Sequence, residues 1–282
     1  MKSRRSPKAY NNLEFLNSPQ GRTIRILSEF LEPLSRFRRE GIHDTIVVFG
    51  SARVLPRAVA AKELASVRRS ISAKKILSPK NRKLLHEAEM AMEMSRYYED
   101  AAKLTFMLTK WSMRINRHRH FVICSGGGPG IMEAANKGAL KAGGKSIGLN
   151  ITLPMEQESN PYISPNLGFE FHYFFMRKFW FAYLAKAMVM FPGGFGTLDE
   201  LMEVLTLMQT KKIKKPLPIV LYGSEYWNEV LNFDRLLARK TISKNDLALF
   251  RFADTPEEAF EYLKARLTKL YRRDTTLFRT LA

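Results

Sequence analysis

The sequence predicts an α/β fold: a parallel β-sheet covered by helices on both faces. Three observations carry this. Short continuous apolar runs recur at 46–49, 121–124 and 187–191, as expected of strands buried on both sides. Each run ends in small residues: Gly50-Ser51-Ala52, Ser125-Gly126-Gly127-Gly128-Pro129-Gly130 and Pro192-Gly193-Gly194-Phe195-Gly196-Thr197. Between the runs, apolar residues return at spacings of three and four, the period of a helix. Ligands of such sheets lie outside the carboxyl ends of the strands, near a switch in strand order.

In chain order, residues 1–40 form an appended basic helical extension. Leu13, Leu16, Ile24, Leu27, Phe30, Leu31 and Leu34 mark one or two short helices, with Pro19 and Pro33 as breaks. Residues 41–282 form a single domain. After the first strand, 54–83 is an irregular basic insertion with helical character. A long helix follows over 84–115, on Met90, Met94, Tyr97, Tyr98, Ala101, Leu104, Leu108 and Trp111. The second strand leads into a helix through Ile131, Met132, Ala135 and Ala139, stopped by Gly143-Gly144. Strands at 146–151 and 169–173, a helix at 175–186 and the strand at 187–191 come next. A helix on Leu198, Leu201, Met202, Leu205 and Met208 follows, then a strand at 217–221, a helix at 225–237, a strand at 248–252 and a terminal helix at 257–271 behind Pro256.

Composition narrows the classes. With 282 residues, 45% of them hydrophobic, a sizeable core is available. No run of ~18 apolar residues provides a membrane span, and the single cysteine, Cys124, fits a reducing cytoplasm. The net charge of +19 raises a polyanion as partner. Yet residues 1–39 hold nine basic against three acidic side chains, and residues 53–85 ten against one, so the excess sits on the extensions and specific nucleic-acid binding is not expected.

The stretch 192–200 carries the most chemistry. Glycines let a backbone approach a ligand closely, and the first N–H groups of the helix behind them favour an anion. Thr197 can cap that helix or donate to a ligand oxygen. A plain capped turn would look similar; Glu200 sets this one apart. It follows Gly196 by about one helical turn, so loop and carboxylate share a face. A carboxylate there suits a group about one turn away from a phosphate, such as a sugar. The loop 125–130 misses the dinucleotide fingerprint because the third required glycine falls at Ile131, and there is no nucleotide-triphosphatase loop. The five histidines are scattered, so no metal is expected. Cys124 ends a buried strand and reads as core. Arg177-Lys178 follow an aromatic run and read either as surface charge or as a polar grip on a ligand.

These motifs resemble the LOG ("Lonely guy") family, whose members were often labelled possible lysine decarboxylases. Residues 192–200 match its P-G-G-x-G-T-x-x-E signature. Met176-Arg177-Lys178 matches the Arg-Lys element before it and Gly50-Ser51 the first-strand pair, while the stretch with Gly127 to Ala135 resembles the G-G-G-x-x-G-x-M motif, Ser125 standing where its first glycine falls. The resemblance covers about 44–237. The stretch 148–162 departs from short plant-type members and looks like a longer bacterial subgroup. The resemblance implies a Rossmann-like fold and hydrolysis of the N-glycosidic bond of a nucleoside 5′-monophosphate, either AMP or an N6-modified adenylate such as a cytokinin ribotide. Arg177 and Glu200 would be catalytic. Gly194, Gly196 and Thr197 would hold phosphate, with Gly50, Ser51, Gly127, Gly128, Met132, Lys178 and Gly193 also lining the substrate. It implies a homodimer or higher homo-oligomer, with no cofactor. Nothing marks a lysine for the pyridoxal chemistry that a decarboxylase normally uses. The alternatives are a non-catalytic nucleotide-binding or ligand-sensing module and a polyanion-binding protein.

Overall fold

The computed structural model describes residues 8–72, 78–115, 121–152 and 158–271. The basic start of the chain, the pair His118 and His120, and Glu156-Gln157 lie outside the described residues. The strands are β1 (Asp44–Phe49), β2 (Phe121–Ser125), β3 (Ser146–Ile151), β4 (Gly168–Phe171), β5 (Ala185–Met190), β6 (Ile219–Tyr222) and β7 (Phe250–Ala253). They form one sheet in the order β4-β3-β2-β1-β5-β6-β7, and every neighbouring pair is parallel. The chain builds outward from β1 to β4, returns to the middle and builds outward again. The switch in strand order therefore falls between β1 and β5. This is the expected α/β architecture, a Rossmann-like sheet.

Helices cover both faces. On one, α2 (Arg22–Arg39), α6 (Phe174–Leu184) and α7 (Phe195–Gln209) bury Phe37, Trp180, Phe181, Leu201 and Val204 against the sheet. On the other, α4 (Pro79–Ile115), α5 (Ile131–Lys141) and α10 (Pro256–Tyr271) bury Leu104, Leu108, Ala135 and Leu263. Among the described residues, no helix is long and apolar enough to cross a membrane.

Several expectations are corrected. Among the described residues of 54–83 the helical character dominates: α3 occupies Arg57–Ile71, and α4 begins at Pro79 rather than 84. Ala60, Leu64, Val67 and Ile71 make an inward stripe at helical spacing, and α3 packs along α4. Pro33 does not break its helix but sits buried inside α2, with a short α1 (Leu13–Asn17) ahead of it. The helix before β5 ends at Leu184, and Lys186 lies within the strand because its ammonium pairs with buried Asp44 of β1 at 3.3 Å. The helix expected at 225–237 is split into α8 (Ser224–Val230) and α9 (Phe233–Ala238), since Leu231 is extended and Asn232 caps α9. A 3-10 turn at Lys244–Leu249, held by a Ser243–Asp246 capping box, displaces the start of β7 to Phe250.

Candidate active site

Three small-residue loops meet above the carboxyl ends of β1, β2 and β5. Ser51 joins them: its N–H donates to the Pro192 carbonyl (2.9 Å), and its own carbonyl accepts from Ile131 N–H (3.1 Å). The loops meet so closely that side chains are excluded. A methyl at Gly50 would lie 2.7 Å from Ile131 Cγ2. One at Gly193 would fall on Thr197 Oγ1 and 3.0 Å from Ser51 N. Tyr226 Oη donates to the Gly193 carbonyl at 2.8 Å and braces the loop from behind.

Helix α7 starts at Phe195, with Gly194 as its N-cap and no side chain capping it. Thr197 is therefore inside the first turn and does not cap the helix; it is buried, its side chain against Gly193. By contrast, Gly194 and Gly196 face open space. The helix end is thus bare and approachable, with its dipole directed at whatever docks there.

Glu200 and Arg177 influence each other through charge beside this end. Burial pushes the Glu200 carboxyl up to about 7. Lys178 and then Arg177 pull it back down, while Glu203 and Asp199 add to the rise. Burial also pulls Arg177 below its ordinary range, opposed by Glu200. The guanidinium is held by Nε donating to the Leu149 carbonyl (2.8 Å) and lies over the Phe181 ring at 5.1 Å. A methyl at Gly126 would sit 2.7 Å from Arg177 Nη2 and 2.6 Å from Met132 Sδ, so the second glycine loop, Met132 and Arg177 share one pocket wall. Lys178 points elsewhere: its ammonium pairs with Asp199 and Glu203 of α7, both at 2.8 Å. It acts on the site through charge.

The loop 125–130 rests on buried amides that the sequence reading did not pick out. Asn160 Nδ2 donates to the carbonyls of Gly127 and Gly128 and to Asn136 Oδ1, each at 3.0 Å. Asn136 accepts from Ser125 Oγ (2.7 Å) and donates to the Ile147 carbonyl (3.1 Å). A methyl at Gly127, where φ is +76°, would collide with the Asn150 amide. The available signal was Asn150, a polar residue inside the apolar run of β3. Cys124 is core, as expected: it is buried, and burial pushes its thiol up.

A family model described as "Possible lysine decarboxylase" matches residues 132–263. A probable cytokinin riboside 5′-monophosphate phosphoribohydrolase of Oryza sativa subsp. japonica, LOGL6, is 29% identical over 147 residues. Over the second half of the chain the likeness is to the LOG family. The match spans 51% of this chain and 57% of the Oryza protein, so the chain covers little more than half of that curated LOG relative. Among solved structures, an X-ray structure of a structural-genomics target has a TM-score of 0.45 at 21% identity, covering 79% of this chain and 99% of that one. The molybdenum cofactor carrier protein of Chlamydomonas reinhardtii has 0.43 at 19%, covering 80% and 98%. The fold of this chain rests on its own strand order and not on these likenesses.

Proposed function

We propose that this chain hydrolyses the N-glycosidic bond of a nucleoside 5′-monophosphate, AMP or an N6-modified adenylate, to free base and ribose 5-phosphate. The observation that carries the reading is a half-buried carboxylate, Glu200, whose charge couples to a half-buried arginine beside an uncapped glycine-rich helix end. The 5′-phosphate binds at Gly194 and Gly196, with Gly193 and Thr197 shaping the turn. Gly50, Ser51, Gly127, Gly128 and Met132 line the rest of the nucleotide. Cleavage proceeds through an oxocarbenium-like state, and Glu200 as carboxylate stabilises that cation or takes a proton from the attacking water. The water oxygen bonds to C1′, and the base leaves with the electron pair of the C1′–N bond and gains a proton. Arg177 holds the substrate or offsets the negative charge building on the base.

The reading sets a decarboxylase aside, since such enzymes normally use a lysine at the site. Among the described residues, Lys215 is the lysine whose amine burial pulls down, to about 8. It donates to the carbonyls of Ala182 and Tyr183 at the last turn of α6 (both 2.8 Å), next to where β5 begins and so at the amino ends of the strands, opposite the glycine loops. The reading includes a homodimer, for which Phe174, Phe175 and Phe179 are the exposed half of the aromatic run. The test is a panel of nucleoside 5′-monophosphates followed by chromatography for free base. Release of base supports the reading, and a blank panel moves it to a nucleotide-binding module.

A further inference from the structure

The mechanism leaves one charged residue of the basic extension unexplained, Glu29 of α2, and it grips α6 at two places. Its carboxylate accepts from the N–H of His172 (Oε1, 2.7 Å) and of Tyr173 (Oε2, 3.2 Å), where the chain enters α6. Tyr173, the N-cap of α6, supplies no side-chain cap of its own. Two helical turns further on, the Trp180 indole N–H donates to the backbone carbonyl of Glu29 at 2.9 Å. That carbonyl is free to accept because Pro33, four residues later, has no N–H to give it. Phe30 and Phe37 pack on the Trp180 ring at 5.8 and 5.3 Å between centroids. Arg177 and Lys178 lie between the two anchor points, so the height and rotation of α6 fix where their charges meet Glu200.

We propose that Glu29 is a positioning residue for the site: α2 is a clamp that sets Arg177 and Lys178 against Glu200. The proposal rests on the reading of Arg177 and Glu200 as the reacting pair. The groups facing Glu200 are Arg177 and Lys178 from α6, with Asp199 and Glu203 on its own helix. Loosening α6 withdraws the two cations and leaves the two acids in place, so the Glu200 carboxyl must titrate higher. A general loss of stability with α6 still seated does not move it.

The experiment is a titration of Glu200 by carbon-13 NMR of labelled glutamate carboxyls in the full chain, assigned by comparison with Glu200→Gln. In Glu29→Ala the Glu200 midpoint is expected to rise by roughly half a pH unit or more. In the control Leu27→Ala, an exposed position on the same helix, it stays where it is. If the panel shows turnover, kcat of Glu29→Ala falls on the order of tenfold with a smaller change in KM. Should Glu29→Ala not fold, Glu29→Gln and Trp180→Phe replace it, each removing one anchor, and the same upward shift is expected. An unmoved Glu200 midpoint in a folded variant overturns the proposal. Because the titration needs no turnover, a blank panel would remove the proposed reaction and still leave the clamp tested.

Discussion

Lys178 on α6 pairs with Asp199 on α7 at 2.8 Å, one residue before Glu200. It is the strongest influence holding the Glu200 carboxyl below what burial alone would impose. Replacing Lys178 with Met removes that cation and frees the charges of Asp199 and Glu203, and both changes act upward. Glu200 then titrates above about 7, and the acidic limb of the pH–rate profile moves up by roughly 0.5–1 unit. A profile of kcat/KM from pH 5 to 9 in wild type and Lys178→Met checks this. An unmoved limb would mean that the limb belongs to another group.

Glu200→Gln is expected to lower cleavage by on the order of a hundredfold or more while raising stability. The sign follows from linkage. The folded carboxyl titrates at about 7, above the ordinary 4.5. It therefore favours the fold when protonated, and its ionisation withdraws stability as pH rises from about 4.5 to 7, with the loss complete above that. Gln, which never ionises, avoids it. Thermal melts at pH 8 should show Glu200→Gln more stable by ~1–3 kcal/mol, with the two proteins converging at pH 5. Equal melting at both pH values would place Glu200 in water rather than in a buried site.

Much of this was legible because the signals are local. A strand buried on both faces is a continuous apolar run, and a loop that excludes side chains must be written in glycine. Glu200, Arg177 and the loops after β1, β2 and β5 followed from short stretches of chain. What could not be read depends on partners far away in sequence. Lys186 enters a strand because Asp44 waits on the neighbouring one, 142 positions earlier. Pro33 stays in a helix because Trp180 satisfies the carbonyl it orphans. Lys178 matched a motif position, but only the fold shows that its charge is spent on α7.

The signature glycines separate into two kinds. Gly127 and Gly193 are packed shut, so Gly127→Ala and Gly193→Ala should cost folding, by roughly 2–4 kcal/mol each. Gly194 and Gly196 face open space, so Gly194→Ala and Gly196→Ala should melt within about 1 kcal/mol of wild type. Weaker nucleotide binding in these two, with stability intact, would locate the ligand at the bare end of α7. Calorimetric titration with AMP beside thermal melts reads both quantities. Unchanged binding would put the phosphate elsewhere.

Asn160 offers the strictest test of the second loop. Its amide nitrogen faces three oxygens, those of Gly127, Gly128 and Asn136. Asn160→Asp keeps the shape and turns the donor into an acceptor. A protonated Asp can serve only one of the three oxygens, and an ionised one repels all of them. The folded carboxyl is therefore held above its unfolded range, and stability lost to the substitution grows as pH rises from about 4. The expected cost at pH 8 is ~2–4 kcal/mol, or roughly 5–10 °C in melting temperature, with a visibly smaller deficit at pH 4.5. If nucleotide binding weakens along with it while Arg177 and Glu200 are untouched, the loop after β2 belongs to the ligand site and not only to the core. A deficit independent of pH would mean that the Asn160 amide does not face those carbonyls in solution.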